Sequence, residues 1–448
     1  MKITSIILAA GQGTRMKSDL PKVLHPVCGK PMVWHALQAA RVVTEETPVM
    51  IIGHGADQVR EAIGDAAHYV VQAERLGTGH AVQQAESTLK GGTDLVLVSS
   101  ADMPLLRGET FAEMIRLQKE NDGPMTILTI VADDPRGFGR IVRDEDGDVK
   151  AIVEEAQATD AEKAIRELNV GAYCFDAEWL WEALARIPLS PKGEYYLTDT
   201  VGLAVEAGLR VKALTLDDMV EAIGINSRIH LSEAEAGMRS RVNRGHMSRG
   251  ITLIDPASTY IGMDVEIGQD TVIQPNTFLR GETIIGAGCE IGPNTIITDC
   301  KIGERCEILS SVLEKAVLED DVDMGPFARL RKGAYLSKGV HMGNFGEVKD
   351  SHLGEGVKVG HFSYIGNTTI GAETNIGAGT ITCNYDGKNK HHTEIGEAVF
   401  IGSDTMLVAP LVIGDRARTG AGSVVTKNIK EDTLVVGMPA RAIRKLKE

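Results

Sequence analysis

The stretch Ile285-Gly286-Ala287-Gly288-Cys289-Glu290-Ile291-Gly292-Pro293-Asn294-Thr295-Ile296-Ile297 repeats an aliphatic residue at a step of six, twice with Gly behind it. The same step runs back through Leu279, Ile273, Ile267-Gly268 and Ile261-Gly262. After a one-residue slip it runs forward through Ile302-Gly303, Ile308, Leu318, Met324-Gly325, Leu330 and Leu336. It goes on through Leu353-Gly354, Val359-Gly360, Ile365-Gly366, Ile370-Gly371 and Ile376-Gly377, then, after an interruption, through Ile395-Gly396, Ile401-Gly402, Leu407 and Ile413-Gly414. Such a hexapeptide period is the signature of a parallel β-helix. The aliphatic residue points into a triangular prism, the Gly relieves the corner, and three hexads close a coil. Residues eighteen apart are therefore expected to stack, in about ten coils spaced ~4.8 Å. The insert Cys383–His392 fits no hexad and must leave the prism as a loop, either a functional one or a tolerated surface insertion.

Upstream of the repeats the period changes. Ile6-Ile7-Leu8, Pro48–Ile52, His68–Val71 and Asp94–Val98 are short apolar runs, as expected of fully buried parallel strands. Helical stretches lie between them: one from about Pro31, with Val33, Leu37 and Ala40 on one face, and one from about Thr78 to Leu89. This alternation predicts an α/β doubly wound, Rossmann-like sheet over residues 1–226, with ligands at the carboxyl ends of its strands. Residues 227–250 read as a linking helix capped by Ser227 and fraying at Gly245 and Gly250. The β-helix then occupies 251–448.

Composition excludes several classes. The 448 residues are 43% hydrophobic and 24% charged, which argues against disorder. Aromatics are scarce at 4%, as a narrow prism requires. A net charge of −15 disfavours a nucleic-acid partner. No apolar run approaches a membrane span, and the short run after Met1 is wrongly flanked for a signal peptide. Cys28, Cys174, Cys289, Cys300, Cys306 and Cys383 form no CxxC pair. These features predict a reduced, cytoplasmic chain that does not bind membranes.

Two constellations carry chemistry. The first follows the opening strand: Leu8-Ala9-Ala10-Gly11-Gln12-Gly13-Thr14-Arg15-Met16, with Lys22 shortly after. Glycines let backbone N–H groups approach phosphates, and Arg15 and Lys22 add cations. The string is neither a P-loop nor a complete dinucleotide fingerprint. Leu8 to Lys22 resembles the signature of sugar-1-phosphate nucleotidylyltransferases, and Gln72–Ala81 resembles the base-reading segment of their uridylyltransferase branch. With the repeats included, nearly the whole chain resembles the bifunctional N-acetylglucosamine-1-phosphate uridyltransferase/glucosamine-1-phosphate acetyltransferase family. That resemblance implies a left-handed prism, a homotrimer, and small-molecule substrates that include UTP and acetyl-CoA.

For the first half it implies that Leu8, Ala9, Ala10 and Gly11 line the nucleotide and that Arg15 and Lys22 act on its phosphates. Gln72, Gly77 and Thr78 would read uracil. Asp102 and Asn226 would hold Mg²⁺, and Gly139, Glu154 and Asn169 the sugar. Read alone, Asp102 is also a strand-end turn residue and Asn226 a helix cap. The family usually has Gly where Ala101 stands, and the extra methyl is expected to crowd the nucleotide slightly.

The second constellation lies in the repeats: Pro326–Arg331, Gly343–Lys349 and Gly360–Gly366. Arg331 and Lys349 are eighteen apart, so they should stack as an anion site. His361 is the candidate general base for an amine attacking a thioester, with Glu347 orienting its ring. Tyr364 and Asn375 would contact the sugar. Ala378 would offer an oxyanion N–H, and Asn384, Tyr385, Ser403 and Ala421 would contact substrate or coenzyme A. Arg441 is the substitute for an Arg that the family often has near Met438. Direct transfer leaves Cys383 no nucleophilic role, and His391-His392 read as solvated loop residues. Two rival readings stand beside this one: a monofunctional nucleotidylyltransferase whose β-helix serves assembly, and a non-enzymatic assembly protein.

Overall fold

A computed structural model describes residues 1–445, so the last three residues of the expected 251–448 unit lie outside it. The chain forms two units, Met1–Met238 and Arg239–Glu448, that divide inside the helix Arg228–Ser248. Ser227 caps that helix, its hydroxyl accepting from His230 N at 3.3 Å. Gly245 is helical, so the expected fraying there does not occur; the helix stops three residues later, and Gly250 turns the chain at φ 90°.

The strands of the first unit are β1 Ile3–Ala9, β2 Val49–Ile52, β3 His68–Val71, β4 Leu95–Ser100, β5 Met125–Val131, β6 Arg140–Arg143, β7 Val149–Val153, β8 Glu167–Asp176 and β9 Val211–Leu216. The sheet runs β9-β5-β8-β4-β1-β2-β3, with the β6–β7 hairpin attached to β8. Only β8 opposes its neighbours on that path; it is antiparallel to both β4 and β5. Buried aliphatic residues on both faces of β1, β2 and β4, Val96 and Leu97 among them, hold the helices against the sheet. β3 departs from the expectation of a fully buried strand: it is the sheet edge, and Val71 is exposed. The helix expected over Thr78–Leu89 is broken into Thr78–Gln83 and Glu86–Leu89. The chain reverses strand order between β1 and β4, which opens a crevice at their carboxyl ends. Leu8 pairs with Ser100 there, and Ala101 N donates to Leu8 O at 3.0 Å.

The second unit is a triangular prism of very short strands in three sheets, parallel but for the antiparallel closing strand Ala440–Lys445. One Ile, Leu, Val or Met from most strands, and Thr382 and Thr419 from two others, fill an interior that contains no aromatic ring among the described residues. The aromatics sit outside instead: Phe327, Phe345 and Phe362 stack along the surface at centroid distances of 5.4 and 5.1 Å. Hydroxyls and thiols line the corners. Thr271 Oγ1 accepts from Cys289 N at 3.1 Å, and Cys289 Sγ accepts from Cys306 N at 3.4 Å. These cysteines do the work of threonine in a backbone ladder.

The coil length of eighteen holds only locally. Ile273 stacks on Ile291 and Leu330 on Val348, both eighteen apart. Ile285 stacks on Ile302 at seventeen and Ile308 on Met324 at sixteen, because a corner sheds a residue without rotating the inward side chain. Ile376 meets Ile401 across the expelled loop, at twenty-five.

Candidate active sites

The crevice between β1 and β4 is a cleft of about 590 Å³. Leu8, Ala9, Ala10, Gly11, Arg15, Lys22, Gln72, Gly77, Thr78, Asp102, Gly139, Glu154, Asn169 and Asn226 all line it, although they come from segments far apart in sequence. At its centre Lys22 Nζ donates to Asp102 Oδ2 at 2.5 Å and to Asn226 Oδ1 at 2.9 Å. Ser100 Oγ donates to Asp102 Oδ1 at 2.6 Å, which fixes the rotation of the carboxylate.

The glycines divide the labour. Gly11 faces open space, whereas a Cβ on Gly13 (φ 64°) would stand 2.5 Å from Lys22 Cβ. Gly13 therefore seats the lysine stem rather than lining the cleft. Gly77 (φ 100°) lies against Tyr195, whose carbonyl a Cβ would meet at 2.5 Å. Gln72 Nε2 donates to Gly77 O at 3.1 Å. Thr78 Oγ1 accepts from Leu197 N at 3.0 Å.

Glu154 and Glu194 add carboxylates to the cleft lining. Thr198 Oγ1 donates to Glu154 Oε1 at 2.9 Å. Burial, together with the charge of Glu154, pushes the Asp199 carboxyl above its ordinary range. Asn169 Nδ2 donates to Tyr173 Oη at 2.8 Å, and burial keeps that phenol protonated. Ala101 does not crowd the cleft as expected; its methyl is fully buried in the core cluster of Ile7, Ala9 and Val33 behind β1.

Several lining groups escaped the sequence reading. Arg75 reaches over to Gln12 Oε1 at 2.7 Å, and the segment Glu194–Thr198 forms one wall. Gly193-Glu194-Tyr195 carries a turn signal, but nothing in it announces pairing with residues 76–79.

On the prism the site is a line rather than a cleft. Phe362 N bonds Asn344 O, Gly379 N bonds His361 O, Asp404 N bonds Ala378 O and Gly422 N bonds Ser403 O. Asn344, His361, Ala378, Ser403 and Ala421 thus occupy one edge on successive coils. His361 Nδ1 donates to Asn344 Oδ1 at 2.6 Å. Asn344 orients the ring where Glu347 was expected, because the Glu347 carboxylate accepts from Arg331 Nη1 at 2.9 Å. With Nδ1 so engaged, Nε2 carries the free lone pair.

Arg331 and Lys349 share a register, as their neighbours Leu330 and Val348 do, and Tyr364 stands on Glu347 one coil on. Lys390, on the expelled loop, joins them, and Lys349 beside it holds its ammonium below the usual range. That third cation was missed because the loop lies outside the repeat. Asn384 Nδ2 donates to Asn367 Oδ1 at 2.7 Å and anchors the loop; Tyr385 stands exposed beyond it. His391 is not simply solvated: its Nε2 pairs with Asp386 Oδ2 at 2.7 Å and braces the hairpin. Burial raises the Cys383 thiol, which keeps it from acting as a thiolate. Asn375 lies between Lys358 and Phe400 on one face, and Arg441 lies on the exposed closing strand opposite Val436.

Comparison with known proteins agrees with both halves. Residues 5–169 match the MobA-like NTP transferase domain. Residues 264–299 and 392–427 match the six-repeat bacterial transferase hexapeptide. The class is therefore a nucleotidyltransferase joined to a hexapeptide-repeat transferase, and the prism is the left-handed β-helix of that class. The relative from Heliobacterium modesticaldum, named bifunctional protein GlmU, is 48% identical over 100% of this chain and 97% of its own length. Relatives of that name from Streptococcus agalactiae and Geobacillus are 47% and 46% identical over 97% and 99% of this chain, and 95% and 97% of their own. The chain belongs to the bifunctional GlmU family. Kinship along both halves sets aside the monofunctional and non-enzymatic readings.

Proposed function

We propose that the chain makes UDP-N-acetylglucosamine in two steps, N-acetylating glucosamine-1-phosphate with acetyl-CoA and then transferring uridylyl from UTP with release of pyrophosphate. The observation that carries this reading is that each unit holds a polar constellation of its own. Lys22, Asp102 and Asn226 meet in the cleft, and Asn344–His361 sits on the prism edge.

In the cleft, Arg15 and Lys22 stabilise the charge that develops when the sugar phosphate oxygen attacks the α-phosphorus in line. Gln72, Gly77 and Thr78 read the base, and Gly139, Glu154 and Asn169 hold the sugar hydroxyls. Asp102 and Asn226 suit Mg²⁺: their oxygens already converge on one cation, Lys22 Nζ, and two protein ligands leave room for water and phosphate. Bound there, Mg²⁺ would neutralise phosphate charge.

On the prism, Arg331, Lys349 and Lys390 hold the sugar phosphate. Tyr364 and Asn375 position the ring. His361 Nε2 takes a proton from the amine as its nitrogen attacks the acetyl carbonyl; coenzyme A leaves as its thiolate. Ala378 N–H faces the developing oxyanion, and Asn384, Tyr385, Ser403, Ala421 and Arg441 bind the coenzyme along the edge. We place the active chain in the cytoplasm as a homotrimer, since an exposed prism edge with an extended loop suits a site completed by a neighbouring copy.

The test is thiol release from acetyl-CoA with glucosamine-1-phosphate present and UTP absent. Release that depends on the amino sugar is expected. A folded chain that gives none overturns the acetyltransferase half.

A further inference from the structure

Lys22 has a partner that the transfer reaction does not require of it. Its ammonium sits on Asp102 Oδ2 and Asn226 Oδ1, the two oxygens assigned above to the metal. The side chains of Lys22 and Asp102 are only 11% and 23% exposed, so water screens their attraction weakly. The pair is also built. Ser100 pins the other carboxylate oxygen, and the lysine stem lies on Gly13, which has no side chain to displace it. An ammonium and a divalent cation cannot share that point, since both need the same carboxylate oxygen and repel each other at contact distance.

We propose that Lys22 is the resident counter-ion of the metal site, and that a divalent cation enters only when nucleotide phosphates draw the ammonium away. The inference rests on Asp102 and Asn226 being metal ligands. The triphosphate is what moves the lysine, because the same cleft wall carries Gly11 and Arg15 and so gathers phosphate charge within reach. Asp102 then exchanges one cation for another and is never left buried and uncompensated. Coupling of this kind is reciprocal: the cation tightens the nucleotide by the factor by which the nucleotide tightens the cation.

The experiment uses Mn²⁺ as probe and follows free Mn²⁺ by electron paramagnetic resonance, on the full chain without nucleotide. Lys22→Met, which removes the charge at similar length, is expected to bind Mn²⁺ at least tenfold more tightly than the parent. Lys22→Ala should do the same, and Lys22→Arg, which keeps the charge, should not. The double variant Lys22→Met/Asp102→Asn should lose the gain. Equal nucleotide-free affinity in the parent, Lys22→Met and Lys22→Ala overturns the proposal. The UTP complex separates this from failure of the metal-site reading. If Asp102→Asn leaves Mn²⁺ binding there unchanged, the ligand assignment falls and the proposal with it. If Asp102→Asn weakens it while the Lys22 variants gain nothing, only the proposal falls.

Discussion

The cleft and the prism edge solve one problem, converging polar groups on a phosphorylated sugar, by opposite means. In the cleft, Lys22, Asp102 and Asn226 come from three segments far apart in sequence, and long-range contacts fix each position. On the edge, Asn344, His361, Ala378, Ser403 and Ala421 are neighbours because each is one coil from the next. The cleft is addressed by loop geometry and the edge by counting. Damage to a loop therefore concerns one contact, whereas the edge depends only on the register of adjacent coils.

The sharpest way to break the comparison is to remove one group from each region. His361→Ala should lower acetyl transfer by about 10²–10⁴-fold and leave uridylyl transfer intact. Asp102→Ala should abolish pyrophosphate release and spare thiol release. Parallel assays of both products decide it, and loss of both activities in either variant would show that the regions are not independent.

Next in size is Gly13→Ala. Its Cβ would meet the Lys22 stem at 2.5 Å in a left-handed backbone, so uridylyl kcat/KM should drop roughly 10–100-fold. Gly91→Ala, also in a left-handed backbone but outside the cleft and with nothing within 4 Å of its Cβ, serves as the control in the same assay.

A smaller effect tests the edge. Asn344→Leu leaves the imidazole without its acceptor, and acetyl kcat should fall about tenfold with little change in KM. Asn344→Asp should restore part of the rate. A purely structural role would leave Asn344→Asp as slow as Asn344→Leu.

The smallest effect is thermodynamic. His246 is buried at the start of the prism; burial first and Arg249 second lower its pKa to about 4. Its unfolded value lies near 6.5. Between those values the unfolded chain binds the extra proton, so the stability is fully present above pH 6.5 and drains away toward pH 4. The loss is on the order of 3 kcal/mol. Denaturant unfolding across that range should show the slope, and His246→Gln should flatten it.

The same contrast explains what was legible in the sequence. Inward residues such as Ile291 and Leu330 announce themselves because every coil repeats one local requirement. The candidate strings of the cleft are legible where a single segment carries them, as Gly11 to Lys22 does. The contact of Gly77 with Tyr195 is not, since two segments that meet only in the folded sheet share no local pattern. Ala101 misled because the direction of one methyl depends on strand register, and it points into the core. Glu347 misled for a related reason: it shares a coil with His361's neighbours, yet Arg331 claims it first. Lys390 lay outside the repeat that made its partners visible.

The corners that shed a residue without turning the inward side chain make the prism a graduated rod. Its unit of length is one coil, ~4.8 Å. Removing a whole coil between Ile273 and Ile291 shortens the rod by one graduation and leaves every adjacency from Asn344 to Ala421 untouched. Removing one hexad there would turn the whole downstream edge onto another face relative to the coils before it. Length in this half can drift over generations only in whole coils, while its chemistry stays where it is.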